Sequence, residues 1–221
     1  MSDTKQIVLF DMDGTLVRKN TGRLYVQFEY ERGRMSLARV AEVATWHARY
    51  LTGYLDIDGL AERAIGWYKG RLMAEIDAEM EDWFQRYVAQ HVSEAARRCV
   101  LSHQKRGDIV AIATGSTEYS ARPLARHLGI EHWICSEIEL EQGRVTGRLL
   151  RPACAGAGKV LRTRRWLEAN HPDVSLSQVT FYSDSITDLP LLEAVGKAVV
   201  VNPDLRLGRV AKQRGWPVLS W

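Results

Sequence analysis

Along most of this chain, short apolar runs alternate with segments of helical periodicity, and one long stretch near the start breaks that alternation. Residues 6–10 (QIVLF) form a short, mainly apolar run that ends abruptly in Asp-Met-Asp-Gly, as a buried strand does when it runs out into a polar loop. From position 17 to 90 no strand-like run occurs. Leu37, Val40, Ala41, Ala44, Ala48 and Leu51 recur at helical spacing, as do Leu60, Ala64, Trp67, Tyr68 and Leu72, and then Met80, Trp83, Phe84, Tyr87 and Val88. Gly33, Gly53 and Asp58 punctuate them. This pattern predicts three or four amphipathic helices packed as a bundle, with Trp46, Trp67 and Trp83 in its core.

Beyond position 91 the alternation resumes. Helices are predicted over 93–106, 118–128, 159–169, 189–195 and 204–214, and strands over 109–113, 133–138, 179–183, 198–201 and 216–219. Residues 139–150 hold a Gln-Gly turn between extended arms, which predicts a hairpin. Buried strands alternating with helices imply an α/β fold with a doubly wound parallel sheet covered on both faces. In such sheets ligands gather beyond the carboxyl ends of the strands. Asp11, Thr114 and Asp184 each fall at or just past such an end, so three strands would deliver polar side chains to one crevice.

Composition narrows the reading. With 46% hydrophobic and 26% charged residues, the chain is ordinary for a globular protein. Its net charge of +3 is spread along the sequence, so no nucleic-acid partner is expected, although a mildly basic surface favours an anionic substrate. Cys99, Cys135 and Cys154 are odd in number and widely spaced, which fits neither a disulfide framework nor a zinc site. No apolar run is long enough to span a bilayer and no signal peptide is evident, so no membrane partner and a cytoplasmic location are expected.

Four segments carry candidate chemistry. In Asp11-Met12-Asp13-Gly14-Thr15, paired carboxylates call for a cation, and Mg²⁺ suits their oxygen ligands. Gly14 and Thr15 can cradle an anion with backbone N–H groups. Thr114-Gly115-Ser116 sets a hydroxyl and a helix start where a phosphate could bind. Lys159, in Gly-Ala-Gly-Lys, is poorly placed for its helix dipole unless an anion offsets it. GAGK lacks the first glycine and the final Ser/Thr of a P-loop. Asp184 and Asp188, four apart after a strand, suit a metal ligand and either a second ligand or a partner for Lys159.

Together, DMDGT, a strand-end Thr, a Lys on a later helix and SDSITD resemble the four motifs of the haloacid dehalogenase superfamily, over the whole chain and in order. The hairpin near Gly143 and YSDSITDLPLLEAVG resemble its phosphoserine-phosphatase-like branch. The resemblance implies a Rossmann-like catalytic core of residues 1–16 and 91–221 and a helical cap of residues 17–90. It implies a phosphatase in which Asp11 is the nucleophile, Asp13 the general acid and base, and Thr114 and Lys159 hold the phosphoryl group. Mg²⁺ is expected on Asp11, Asp184 and the backbone carbonyl of Asp13, with Asp188 as a further candidate, and a small phosphate ester is the expected partner. Phosphoserine phosphatases carry Glu nine residues after the nucleophile; here Asn20 stands there. Substrate classes such as phosphoserine and histidinol phosphate therefore remain open, with Asn20, Arg23, Tyr25 and Phe28 as candidates to face the substrate. The alternatives are a phosphotransferase or mutase on the same fold, and a receiver-like phospho-accepting domain, which lacks the DxD pair and the helical insertion.

Overall fold

The computed structural model describes residues 5–51 and 57–221. The helix break expected at Gly53 lies outside the described residues, as do the side chains of Ala48, Leu51 and Leu60. A seven-stranded sheet is formed by β1 (Ile7–Phe10), β2 (Ile109–Thr117), β3 (His132–Glu141), β4 (Arg144–Leu150), β5 (Val179–Ser183), β6 (Lys197–Val201) and β7 (Val218–Leu219). Their spatial order is β4-β3-β2-β1-β5-β6-β7. All neighbours are parallel except β3 and β4, the expected hairpin, which turns at Gln142 and Gly143. The chain reverses direction across the sheet at β1, which lies between β2 and β5, so the ligand crevice of an open α/β sheet belongs there. Phe10 pairs with both Ile112 and Tyr182, and the residues just beyond these three emerge side by side.

Strand alternation divides the core in two. Val8, Phe10, Val110 and Ile112 point to one face, and Ile7, Leu9, Ala111 and Phe181 to the other. The first face is covered by α5 (Glu94–Lys105) and α6 (Glu118–Leu128), the second by α7 (Ala157–Asn170), α8 (Leu189–Ala194) and α9 (Leu205–Arg214). Each large apolar side chain fully buried there stabilises the fold by about 1.5–3 kcal/mol before entropy is counted.

The segment between β1 and α5 is helical: α1 (Thr21–Glu31), α2 (Leu37–Leu51), α3 (Ile57–Ile65) and α4 (Met73–Trp83), then a π-helical turn at Phe84–Val88. Its two connections to the sheet run side by side, with Arg18 N–H donating to His91 C=O and Ser93 N–H to Leu16 C=O, both at 2.9 Å. Trp83 and Trp46 are buried as expected, and Trp67 is half-buried against Trp46. The apolar stripe of α2 departs from expectation. Leu37, Ala41 and Ala44 are exposed, and among the described side chains of α2 it is Trp46 that is buried, set against Trp67. Among the described residues no helix is long and apolar enough to cross a membrane.

Candidate active site

Asp11 is the first residue past β1, and its N–H donates to Tyr182 C=O at 2.9 Å, which carries the β1–β5 ladder up to the crevice. Its Oδ1 accepts from Lys159 Nζ at 2.9 Å. The same ammonium lies 2.6 Å from Asp188 Oδ1, and Asp188 Oδ2 accepts from Ser183 Oγ at 2.8 Å. All three charged groups are buried, Lys159 to 2% exposure. Burial alone would push the lysine's pKa down, yet Asp11 and Asp188 on either side hold it above the ordinary lysine range. α7 places it there by starting at Ala157, so that Lys159 lies in the first turn and points back into the crevice.

Asp184 follows β5. Its Oδ1 accepts from Thr15 Oγ1 at 3.3 Å. Gly14, at φ +75°, gives its carboxylate room: a Cβ there would come within 2.0 Å of Asp184 Oδ2. Burial, with the nearby charges of Asp188 and Asp13, pushes Asp184 up to about 7. Asp11 is raised well above the carboxylate range by burial against the pull of Lys159, and Asp188 and Asp184 raise it further. Two crowded carboxylates that resist ionisation fit a hard divalent cation, which would relieve both at once. Among the described residues, however, no three acidic, His or Cys side chains converge on one point. The expected ligand set, the carboxylates of Asp11 and Asp184 with the Asp13 backbone carbonyl, does not require three such side chains. Asp188 has the alternative arrangement, both oxygens being engaged by Lys159 and Ser183.

The Asp13 carboxylate turns to the start of α1, where Oδ1 accepts from Thr21 N–H at 2.8 Å and Oδ2 from Asn20 Nδ2 at 3.2 Å. Burial raises its pKa, opposed by Thr21. Asn20 is doubly engaged, because its Oδ1 also caps α1 by accepting from Arg23 N–H at 3.0 Å. Thr114 is buried at the crevice end of β2, and its Oγ1 accepts from Ser116 N–H at 3.1 Å. Gly115 C=O accepts from Ser136 Oγ at 2.8 Å, fixing this end of β2 from the side of β3. Of the candidates to face a substrate, Phe28 is fully buried in the apolar core, Arg23 is exposed, and Tyr25 is half-buried.

Sequence reasoning missed Ser183, whose position inside a strand hid its bond to Asp188, and Thr21, which acts through its backbone. It also missed Trp221, whose Nε1 donates to Thr15 C=O at 2.8 Å while its ring stacks on Tyr182. That contact joins residues 206 positions apart, and no local pattern signals it.

The family model of haloacid dehalogenase-like hydrolases matches residues 8–193. A histidinol-phosphatase of Neisseria meningitidis serogroup C (strain 8013) is 32% identical over 98% of this chain and 99% of its own length. A phosphoserine phosphatase of Mycobacterium tuberculosis is 30% identical over 98% of this chain and 71% of its own. A crystal structure of a protein of unknown function from Bordetella pertussis Tohama I superposes with a TM-score of 0.90 at 30% identity, covering 98% of this chain and 99% of that one. A phospho-aspartyl intermediate analogue of phosphoserine phosphatase shares the fold, with a TM-score of 0.69 at 16% identity over 98% and 93% of the two chains. With a family match across most of its length and full-length relatives at this identity, the chain belongs to the haloacid dehalogenase-like hydrolases and is a phosphatase among them.

Proposed function

We propose that the enzyme hydrolyses a small amino-alcohol phosphate, histidinol phosphate foremost, with Mg²⁺ and through an aspartyl phosphate on Asp11. The observation that carries this reading is the buried Lys159 ammonium held between Asp11 and Asp188, with Asp184 beside Gly14. The full-length similarity to a histidinol-phosphatase, together with Asn20 in place of glutamate, supports the substrate.

In the proposed mechanism Lys159 fixes the rotamer of Asp11 by binding Oδ1, so that Oδ2 attacks phosphorus in line. A P–O bond forms to Asp11 as the bond to the alcohol oxygen breaks, and Asp13 gives that oxygen its proton. Burial, which keeps Asp13 protonated to higher pH, suits this role. Asp13 then takes a proton from the water that attacks phosphorus, and the bond to Asp11 breaks. Thr114 and Lys159 hold the phosphoryl oxygens throughout. Asp11, Asp184 and the backbone carbonyl of Asp13 would hold Mg²⁺, which when bound neutralises phosphoryl charge. Residues 17–90 act as a cap over a core of residues 1–16 and 91–221, and the paired connections at Arg18 and Ser93 suit a hinge between them.

The test is phosphate release from a panel that includes histidinol phosphate and phosphoserine, with and without Mg²⁺, for the wild type and Asp11→Asn. Turnover that survives in Asp11→Asn would refute the nucleophile, and a preference for phosphoserine would refute the substrate.

A further inference from the structure

Polar atoms buried without a hydrogen-bond partner are few in folded proteins, and each calls for an explanation. Six side-chain atoms of this kind occur among the described residues, and four lie in one seam: Glu29 Oε1 on α1, Glu79 Oε1 and Trp83 Nε1 on α4, and Tyr119 OH on α6. Trp83 is fully buried and Tyr119 is 2% exposed. Leaving such a group unpaired costs its full desolvation, so four in one place are not explained by packing.

Aromatic rings line the seam. Tyr25 meets Trp83 edge-on at 6.0 Å and Tyr68 at 6.0 Å, and Tyr68 faces Tyr119 at 6.3 Å. Burial raises the pKa of the Tyr25 and Tyr68 phenols, and the nearby glutamates raise both further. Arg34 and Arg71 both bind Glu79 through Oε2, at 2.6 and 2.9 Å, which leaves Oε1 without a donor. Arg71 also sits over the Tyr68 ring at 5.6 Å, so these ring faces already accept a cation.

The seam reaches the catalytic loops from two sides. α1 begins at Thr21, whose N–H binds Asp13, and at 1.5 Å per residue Tyr25 and Glu29 follow about 6 and 12 Å along the helix. Tyr119 lies in the first turn of α6, just past the end of β2 that carries Thr114.

Building on the phosphatase reading, we propose that this seam is the specificity site. It takes a leaving group that carries a positive charge and a flat nitrogen-bearing ring. Glu29 and Glu79 pair with the cation, the tyrosine rings stack on the heterocycle, and Trp83 N–H and Tyr119 O–H donate to its acceptor atoms. Glu29 Oε1 has only a long ion pair with Arg34, at 3.7 Å, so a neutral aliphatic ester would leave all four polar atoms without a hydrogen bond, which is the source of discrimination.

The test measures binding in an Asp11→Asn background by calorimetry, with Mg²⁺, using histidinol phosphate and butyl phosphate as probes. Glu29→Gln should weaken histidinol phosphate by about tenfold or more and butyl phosphate by less than about twofold, and Trp83→Phe should weaken the first about fivefold with the same selectivity. Because the Tyr119 hydroxyl bonds nothing and Phe matches its ring, Tyr119→Phe should fold with an unchanged or higher thermal midpoint. Equal losses for both probes, or no loss for either, would overturn the proposal. Absence of phosphate release from every ester by the wild-type enzyme would instead count against the proposed reaction, and the binding ratio would still decide the specificity site.

Discussion

The Asp184 carboxylate lies where a side chain on Gly14 would have to go, 2.0 Å from the position of its Cβ. Gly14 also sits at φ +75°, which costs an L-residue about 1–2 kcal/mol. Gly14→Ala therefore strains the loop and pushes Asp184 off the crevice. The expected result is a loss of about tenfold or more in apparent Mg²⁺ affinity, read by calorimetry, with turnover falling alongside. An alanine variant with unchanged Mg²⁺ affinity would remove Asp184 from the metal site.

Lys159 is the cation between two buried carboxylates, so removing it leaves both uncompensated. Lys159→Met should destabilise the metal-free protein by about 3–5 kcal/mol in urea unfolding, the usual cost of breaking a buried ion pair from one side. Adding Asp188→Asn to that variant should recover part of the loss, because one of the stranded charges is then gone. Additive destabilisation in the double variant would contradict the coupling.

The raised pKa of Asp184 makes the stability of the metal-free protein depend on pH. Its folded value of about 7 lies above the ordinary 3.8, so the folded state binds the proton more tightly. The stability this contributes is fully present below the ordinary value and is lost as pH rises through 7. The metal-free protein should therefore lose thermal stability between pH 5 and about pH 8. Mg²⁺ competes with that proton, so its affinity should rise over the same interval and its addition should flatten the profile. Equal Mg²⁺ affinity at both ends of the range would exclude Asp184 as a ligand.

How far the sequence reached follows from range of interaction. β1, β5 and the Gln142-Gly143 hairpin are set by runs and turns a few residues long, and they fall where the pattern places them. Asp11, Lys159 and Asp184 were legible because each follows a strand or starts a helix, positions that a parallel sheet gathers at one end, whereas Thr114 lies inside β2, which runs on to Thr117 past the apolar run of 109–113. The roles of Asn20 and Phe28 were not legible, since proximity to a motif does not say which face of α1 a residue takes. The same holds for the Leu37 stripe of α2, where periodicity marks an apolar face but not whether a partner covers it. Ser183 and Trp221 act through partners fixed only by tertiary structure.

Asn20 does two jobs that substitution can separate. Its Oδ1 caps α1, and its Nδ2 donates to Asp13 Oδ2 at 3.2 Å, a bond that favours the charged form of that carboxylate. Asn20→Ala removes both and should cost about 1 kcal/mol through the lost cap. Asn20→Asp keeps a capping oxygen, so stability should hold at moderate ionic strength, where salt screens the new charge, yet it sets a negative charge beside Asp13. Both variants raise the pKa of Asp13. A general acid must be protonated to act, so the alkaline limb of the kcat–pH profile should move to higher pH in both, although only the alanine variant loses stability. Should the limb stay fixed while the cap is lost, Asn20 is merely a helix cap, and the proton delivered to the leaving oxygen comes from a group other than Asp13.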